Sequence, residues 1–147
     1  MKKLIFIMLL GPVLAGCSAG LTDIEPAEKL NDLTAVCVRE ARSPLNFTPK
    51  ELTAFITKSL EKKNIKTITY GQAKIPENCK YVLATSFKGK KELIVRGRMV
   101  LRENTSGTLK DLGEINYRYR GAERDIAKQT GIQGQIDRMI SELFKNY

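Results

Sequence analysis

Side chains suited to acid–base or nucleophilic chemistry are few in this chain of 147 residues, and histidine is absent. Without an imidazole, neither a Ser-His-Asp triad nor a Cys-His pair can form, so carboxylates, lysines or tyrosines would have to transfer protons. Asp111, Glu114, Glu123 and Asp125 lie near one another in sequence. Such acids are more often solvated surface groups than the paired carboxylates of a glycosidase. We therefore expect no catalytic residue, and a small hydrolase using Asp111, Glu123 or Asp125 is the least favoured alternative.

One serine–lysine spacing has a catalytic precedent. Ser59 and Lys62 match Ser-x-x-Lys, the acylating motif of penicillin-recognising enzymes, and residues 128–131 partly match the Lys-Thr-Gly motif of the same enzymes. The second match contains an inserted residue, the third motif is missing, and the chain is too short for such an enzyme. We expect Ser59 and Lys62 to be surface residues of a helix.

Arginines form the remaining candidate site. The strands predicted over residues 92–103 and 109–120 alternate in polarity, which places a set of arginines on one face of the sheet: Arg96, Arg98, Arg102, Arg118 and Arg120. Guanidinium groups on neighbouring strands could hold phosphate or carboxylate groups bidentately. A solvated face balanced by Glu92 and Glu114 is the more usual arrangement of such charges, and both interpretations stay open.

The first 17 residues carry the features of an export signal. Lys2 and Lys3 precede an apolar run, residues 4–14, that is too short to span a bilayer as a stable helix. The run ends in Leu14-Ala15-Gly16-Cys17, which resembles the lipobox of bacterial lipoproteins. The resemblance implies that residues 1–16 are a signal peptide, and that Cys17 is lipidated on its sulfur and acylated at its new amino terminus. The alternative is an ordinary secretory signal in which Cys17 occurs by chance.

The residue after Cys17 bears on the destination of the chain. Ser18, in place of an aspartate, is similar to the outer-membrane sorting pattern of enteric-type bacteria. The resemblance therefore implies a protein anchored by lipid in the outer membrane, with its domain facing the periplasm.

The net charge of the exported chain limits the classes of partner that we expect it to bind. Without Lys2 and Lys3, the 25 basic residues fall to 23 against 16 acidic ones, a net charge of +7. Nucleic acid is the usual partner of a basic domain, but an exported chain meets little of it. We expect no nucleic acid partner, and instead envelope anions or an acidic protein surface. A charge that serves only solubility is the alternative.

The cysteines follow from the same assignment. If Cys17 is lipidated, Cys37 and Cys79 are the only thiols left in a chain bound for an oxidising compartment, so they are predicted to form a disulfide. Closing a loop of about 43 residues would stabilise the fold by about 4 kcal/mol. Two cysteines so far apart, with no histidine, do not fit a zinc site, and no metal or cofactor is expected.

The remaining sequence predicts one small domain. Residues 17–33 are polar, include Pro26 and show no period, so we expect the lipidated cysteine and a flexible tether there, and a domain over residues 34–147. Thr48 and Glu51 form a capping box that opens an amphipathic helix, and a second amphipathic helix is predicted from Thr130. The predicted fold is α+β, a two-layer arrangement of a mainly antiparallel sheet of about five strands with both helices on one face, in the order βαββββα.

The pairing of the last two strands follows from their apolar faces. A three-residue turn over residues 105–107 would fix the register so that residue numbers facing each other across the hairpin add up to an even number. In this register Leu93 and Val95 lie on the face that carries the tyrosines of the last strand. Arg98 would then lie opposite Glu114, and Glu92 opposite Arg120.

The combined hypothesis is a non-enzymatic outer-membrane lipoprotein. It would present a small periplasmic domain as an accessory or binding module for a cell-envelope protein. An anion-binding module that holds lipopolysaccharide or cell-wall polymer through the basic sheet face is the first alternative, and the small hydrolase is the second.

Overall fold

The computed structural model describes residues 20–147, so the predicted signal peptide and the lipidation of Cys17 lie outside the described residues. Within this range the chain forms two helices, α1 (Pro49–Glu61) and α2 (Ala122–Leu143). The strands are β1 (Leu21–Glu25), β2 (Ala35–Arg39), β3 (Lys66–Tyr70), β4 (Tyr81–Lys90), β5 (Leu93–Thr105) and β6 (Thr108–Arg118).

All six strands belong to one mixed sheet in the order β1-β6-β5-β4-β2-β3. The pairs β1–β6, β6–β5 and β5–β4 are antiparallel, whereas β2 runs parallel to both of its neighbours, β4 and β3. The fold is therefore α+β, as predicted, with one strand more than expected and a parallel portion at one side. The parallel pairing arises because α1 connects β2 to β3 as a crossover.

The additional strand corrects the flexible tether predicted over residues 17–33. Leu21 and Thr22 pair with Tyr117 and Asn116 of β6, and Ala27 is fully buried in the core. The sequence did not reveal this strand because it lies at the sheet edge and its register shifts between Thr22 and Glu25. A strand so irregular shows no clean alternation of polar and apolar residues. The folded domain therefore also includes residues 21–33.

Helix α1 begins as its sequence predicts. The Thr48 hydroxyl accepts a hydrogen bond from the Glu51 backbone N–H (3.2 Å), and the Glu51 carboxylate accepts one from the Thr48 backbone N–H (2.8 Å). This reciprocal capping satisfies two N–H groups that the first turn cannot pair internally. Leu52, Ile56 and Leu60 form its buried face.

Helix α2 begins at Ala122 rather than at Thr130. Gly131 has φ 66° and ψ −158°, values outside the helical region that glycine adopts readily, and divides α2 into two helical segments. The first segment was missed because residues 122–130 are mostly polar. Both helices contribute buried side chains to the main core on one face of the sheet, which agrees with the predicted placement of the helices.

Ser59 is buried between the two helices, so its predicted position on the surface is wrong. It is 2% exposed, and its hydroxyl donates a hydrogen bond to Asp137 Oδ1 (2.6 Å). Lys62 is exposed as expected, and its ammonium group binds the other carboxylate oxygen of Asp137 at 2.6 Å. Gln133 donates further hydrogen bonds to Asp137 Oδ1 (3.1 Å) and to Ser59 Oγ (2.9 Å). Ser59 and Lys62 therefore link α1 to α2 through Asp137.

The β5–β6 hairpin differs in register from the prediction. Its turn is Ser106-Gly107, so Thr105 pairs with Thr108, and a bulge after Leu101 then sets Arg96 opposite Arg118. The turn alone would place the apolar faces on opposite sides of the sheet, and the bulge restores their match.

The predicted position of Val95 on the core face is wrong, because a second bulge lies beside it. Lys88 pairs with Arg96 but Gly89 pairs with Ile94, so Val95 has no partner on β4. As a result Ile94 is fully buried in the core, while Val95 is 39% exposed.

Ile94 pairs with a side chain where the backbone ladder ends. Its N–H donates to Gln135 Oε1 (3.0 Å), and its carbonyl accepts from Gln135 Nε2 (2.8 Å). Gln135 Nε2 also donates to the hydroxyl of Tyr117 (2.7 Å), and all these groups are buried. Because β6 ends at Arg118, the amide of Gln135 takes the place of the next strand partner.

The opposite face of the sheet, here called the outer face, carries the predicted disulfide. Cys37 and Cys79 are joined, and with Tyr70 and Val82 they form a second small apolar cluster. Successive residues of a strand point to opposite faces, so this cluster lies behind the main core. Neither α1 nor α2 covers the remainder of the outer face, over β4, β5 and β6.

Candidate functional site

Three cationic side chains lie side by side on the uncovered part of the outer face. Lys88 of β4 pairs with Arg96 of β5, and Arg96 pairs with Arg118 of β6. We call Lys88, Arg96 and Arg118 the cationic row. Like charges placed directly opposite each other on neighbouring strands destabilise a sheet.

No acidic side chain offsets this repulsion through an ion pair within the part of the chain that the structure describes. The ion pairs of residues 20–147 involve other cations, and the three side chains of the row are exposed. A row of cations without ion pairs is suited to bind an anion. The anion would offset the repulsion between the three cations and accept hydrogen bonds from them.

The cationic row borders a concave site. A cavity of about 280 Å³ is lined by the row together with the hydroxyls of Ser86 and Thr22. Asn116 and Asp23 also line it, and the Asn116 amide donates to Asp23 Oδ2 (3.1 Å). Arg98 lines the cavity as well, but its charge is balanced by Glu114. One carboxylate against the three cations of the row leaves the cavity positively charged, so phosphate and carboxylate groups fit it best.

Two of the five predicted arginines are neutralised by acids on β6. Arg98 binds Glu114 through two hydrogen bonds, Nε to Oε1 at 2.6 Å and Nη2 to Oε2 at 2.9 Å. Arg102 Nε donates to Asp111 Oδ1 at 2.8 Å. The hydrogen bonds from Arg98 hold the pKa of Glu114 below its ordinary value. The predicted Arg98–Glu114 pair therefore exists, but across a diagonal, because Arg98 lies opposite Asn116.

The predicted pair of Glu92 and Arg120 does not form within the ladder. Glu92 lies in the turn between β4 and β5, and Arg120 follows the last paired residue of β6. The structure thus separates the five predicted arginines into two that belong to the row, two that are neutralised and one beyond the strand.

Lys88 was missed as a member of the site. The predicted arginine face was drawn only from the strands over residues 92–103 and 109–120, whereas β4 continues to Lys90 and pairs Lys88 with Arg96. The signal was present in the alternation of Val82, Ala84 and Ser86, which places Lys88 on the same side.

The candidate carboxylates of a hydrolase are not brought together. Asp111 binds Arg102, and Glu123 is buried and held by Arg138, with Nη2 to Oε1 at 2.8 Å. Asp125 is exposed in the first turn of α2, and none of the three lines the cavity at the cationic row. Within residues 20–147 no group of three or more Cys, Asp or Glu side chains is placed to hold a metal ion. Likewise, no helix of these residues is long and apolar enough to cross a membrane.

Comparison with known proteins gives a similarity of fold. No protein-family model matches the chain, and no curated protein matches it. Among solved structures, the dodecamer of a PelC point variant from Paraburkholderia phytofirmans is similar, with a TM-score of 0.50 and 15% sequence identity. The match covers 82% of this chain and 93% of the PelC chain, so the two share the arrangement of most of their elements.

Proposed function

We propose that this protein is a non-enzymatic lipoprotein of the bacterial outer membrane, whose domain faces the periplasm and binds its partner through the uncovered outer face. The lipobox at Cys17 supports the anchor. Both helices pack on the other face of the sheet, which leaves the outer face over β4, β5 and β6 open to a partner.

The observation that carries the proposal is the cationic row without acidic partners. Its ligand presents phosphate or carboxylate groups, either on an envelope polymer such as lipopolysaccharide or on an acidic protein. A fixed row of two guanidinium groups and one ammonium group binds such groups by charge-assisted hydrogen bonds.

Binding of purified lipopolysaccharide by the processed chain tests the anion site. Removing the row by Lys88→Gln, Arg96→Gln and Arg118→Gln is expected to weaken salt-sensitive binding by at least ~10-fold, since the net loss of one charged hydrogen bond corresponds to about that factor. The matched control removes three exposed lysines elsewhere, Lys66→Gln, Lys74→Gln and Lys110→Gln. Equal losses in the two triple variants would show that only net charge matters and would refute the site.

Crosslinking in intact envelopes tests for a protein partner. The expected product joins this chain to a different envelope protein and is lost in the row variant. PelC, the similar structure, is a dodecamer, so a ladder of products containing only this chain is the competing result. That result would replace the accessory role with self-association.

The anchor has its own test. Radiolabelled palmitate is expected to enter the wild-type chain and to be absent from a Cys17→Ser variant, which should also leave the membrane fraction. Label that persists in the variant would contradict lipidation at this cysteine.

A further inference from the structure

The chain enters the fold at a position that leaves little room for movement. The Gly20 carbonyl accepts a hydrogen bond from the Arg118 backbone N–H at 2.6 Å, which extends the ladder of β6 by one residue. A Cβ atom at Gly20 would lie 2.5 Å from Glu123 Cγ and 2.8 Å from the Arg118 carbonyl oxygen. Gly20 is therefore enclosed by the end of β6 and the start of α2, and a larger residue would displace them.

This position is close in sequence to the proposed anchor. Only Ser18 and Ala19 lie between Cys17 and Gly20. Three residue steps of fully extended chain span at most ~11 Å. A lipidated Cys17 therefore holds this end of the sheet against the membrane surface. The reach of tens of ångströms that a tether over residues 17–33 would allow is excluded.

The same end of the sheet is basic. The Arg118 and Arg120 carbonyl oxygens lie 2.8 Å and 2.9 Å from the Cβ position at Gly20, and the Arg124 guanidinium stacks 5.7 Å from the Tyr119 ring centroid. With strands ~4.8 Å apart, Lys88 lies only ~14 Å across the sheet from Gly20.

Other charges at this end preserve its positive sign. The turn between β4 and β5 adds Lys91, and the buried Glu123 is already neutralised by Arg138. Exposed acids at this end include Asp23, Glu51, Glu92 and Asp125. The cations Lys88, Lys90, Lys91, Arg96, Arg118, Arg120 and Arg124 outnumber them.

We propose that this end of the domain, which we call the membrane face, rests on the bilayer that holds the lipid anchor, with the phosphates of anionic phospholipids in the cationic row. The proposal rests on the lipid anchor of the proposed function, and it assigns the cationic row to phospholipid phosphate rather than to a protein partner. Basic groups held near an anionic leaflet are attracted to it, and a short covalent link keeps them within the screening length. The anchor supplies attachment, and the membrane face supplies orientation.

The orientation also determines which part of the domain faces the periplasm. Strand β6 has 11 residues, so the β5–β6 turn at its far end lies roughly 35 Å from the membrane face. The hairpin tip and the nearby loop over residues 71–78 then point away from the bilayer.

Energy transfer from tryptophan to dansyl-labelled headgroups measures this orientation, because the chain has no tryptophan of its own. The lipidated full chain is reconstituted in vesicles of phosphatidylethanolamine and phosphatidylglycerol. One variant carries Ala122→Trp at the membrane face, and the other carries Leu109→Trp near the hairpin tip. Both positions are exposed. Transfer is expected to be several-fold higher from the Ala122→Trp variant, and equal transfer from the two would overturn the orientation.

Charge variants separate the headgroup contribution. In the Ala122→Trp and Leu109→Trp backgrounds, Lys88→Gln, Arg96→Gln and Arg118→Gln should reduce the difference in transfer at least ~2-fold. The control Lys66→Gln, Lys74→Gln and Lys110→Gln should leave it unchanged. A difference that survives both in the row variant and in vesicles of phosphatidylcholine alone would overturn the role of anionic phosphates.

Flotation distinguishes the two proposals. A chain that fails to float with the vesicles refutes the lipid anchor, and the orientation falls with it. A chain that floats but gives equal transfer from both reporters refutes only the membrane face.

Discussion

Substituting Gln135 by leucine should reveal how much of the stability of the fold depends on one side-chain amide. Gln135 is 1% exposed and forms three hydrogen bonds, two to the backbone of Ile94 and one to the hydroxyl of Tyr117. Leucine has a similar volume, so the substitution removes hydrogen-bond partners without creating a large cavity.

The expected loss follows from the groups left unpaired. The N–H and carbonyl of Ile94 remain buried, and each unsatisfied group costs about 1–3 kcal/mol. The apolar surface that leucine buries offsets about 1 kcal/mol of this. We expect the free energy of unfolding to fall by about 3 kcal/mol. With a urea m-value of roughly 1.5 kcal/mol/M, the unfolding midpoint should shift by about 2 M.

Urea unfolding followed by circular dichroism measures this shift. Gln129→Leu, an exposed substitution on the same helix, is the control and should change stability by less than ~0.5 kcal/mol. Tyr117→Phe should cost less in the Gln135→Leu background than in the wild type, because its hydroxyl has already lost that donor. A loss below ~1 kcal/mol for Gln135→Leu with an unchanged m-value would refute the argument that its amide replaces a strand partner.

Two further predictions concern covalent and ionic links. Replacing Cys37 and Cys79 by serine together should lower the free energy of unfolding by about 4 kcal/mol, and a loss under ~1 kcal/mol in the same urea assay would contradict the constraint on the unfolded chain. Burial raises the pKa of Asp137, but hydrogen bonds from Lys62, Ser59 and Gln133 outweigh it and hold the pKa below its ordinary value. Asp137→Asn should therefore cost about 1–2 kcal/mol above about pH 4, and the difference from wild type should vanish as pH falls through the lowered pKa; a difference constant down to about pH 2 would argue against this assignment.

The sequence predicted those elements whose signals are local. The capping box at Thr48 and Glu51 lies within one helical turn and is present as predicted. The pairing of Cys37 with Cys79 required only that two thiols remain. Helix α1 and the disulfide therefore followed from residues close at hand or few in number.

The site was predicted only in part because it depends on long-range register. The need to match apolar faces was correctly inferred, but the turn length and the bulges beside Leu101 and Val95 were not visible in the pattern. Those bulges decide that Arg96 lies against another cation while Arg98 reaches an acid. Alternation along a strand shows which side chains share a face of the sheet. Which of those cations form ion pairs depends on the cross-strand pairing, and each inserted residue shifts that pairing.

The position of the disulfide links folding to the compartment. It joins β2 to the segment just before β4, and these strands are parallel neighbours separated by α1 and β3. Parallel pairs of this kind close long loops and form slowly. Total stabilities of domains are only about 5–15 kcal/mol, so a chain with reduced thiols lacks a large share of its stability. Full stability thus requires that Cys37 and Cys79 be oxidised, which is consistent with the export that we propose.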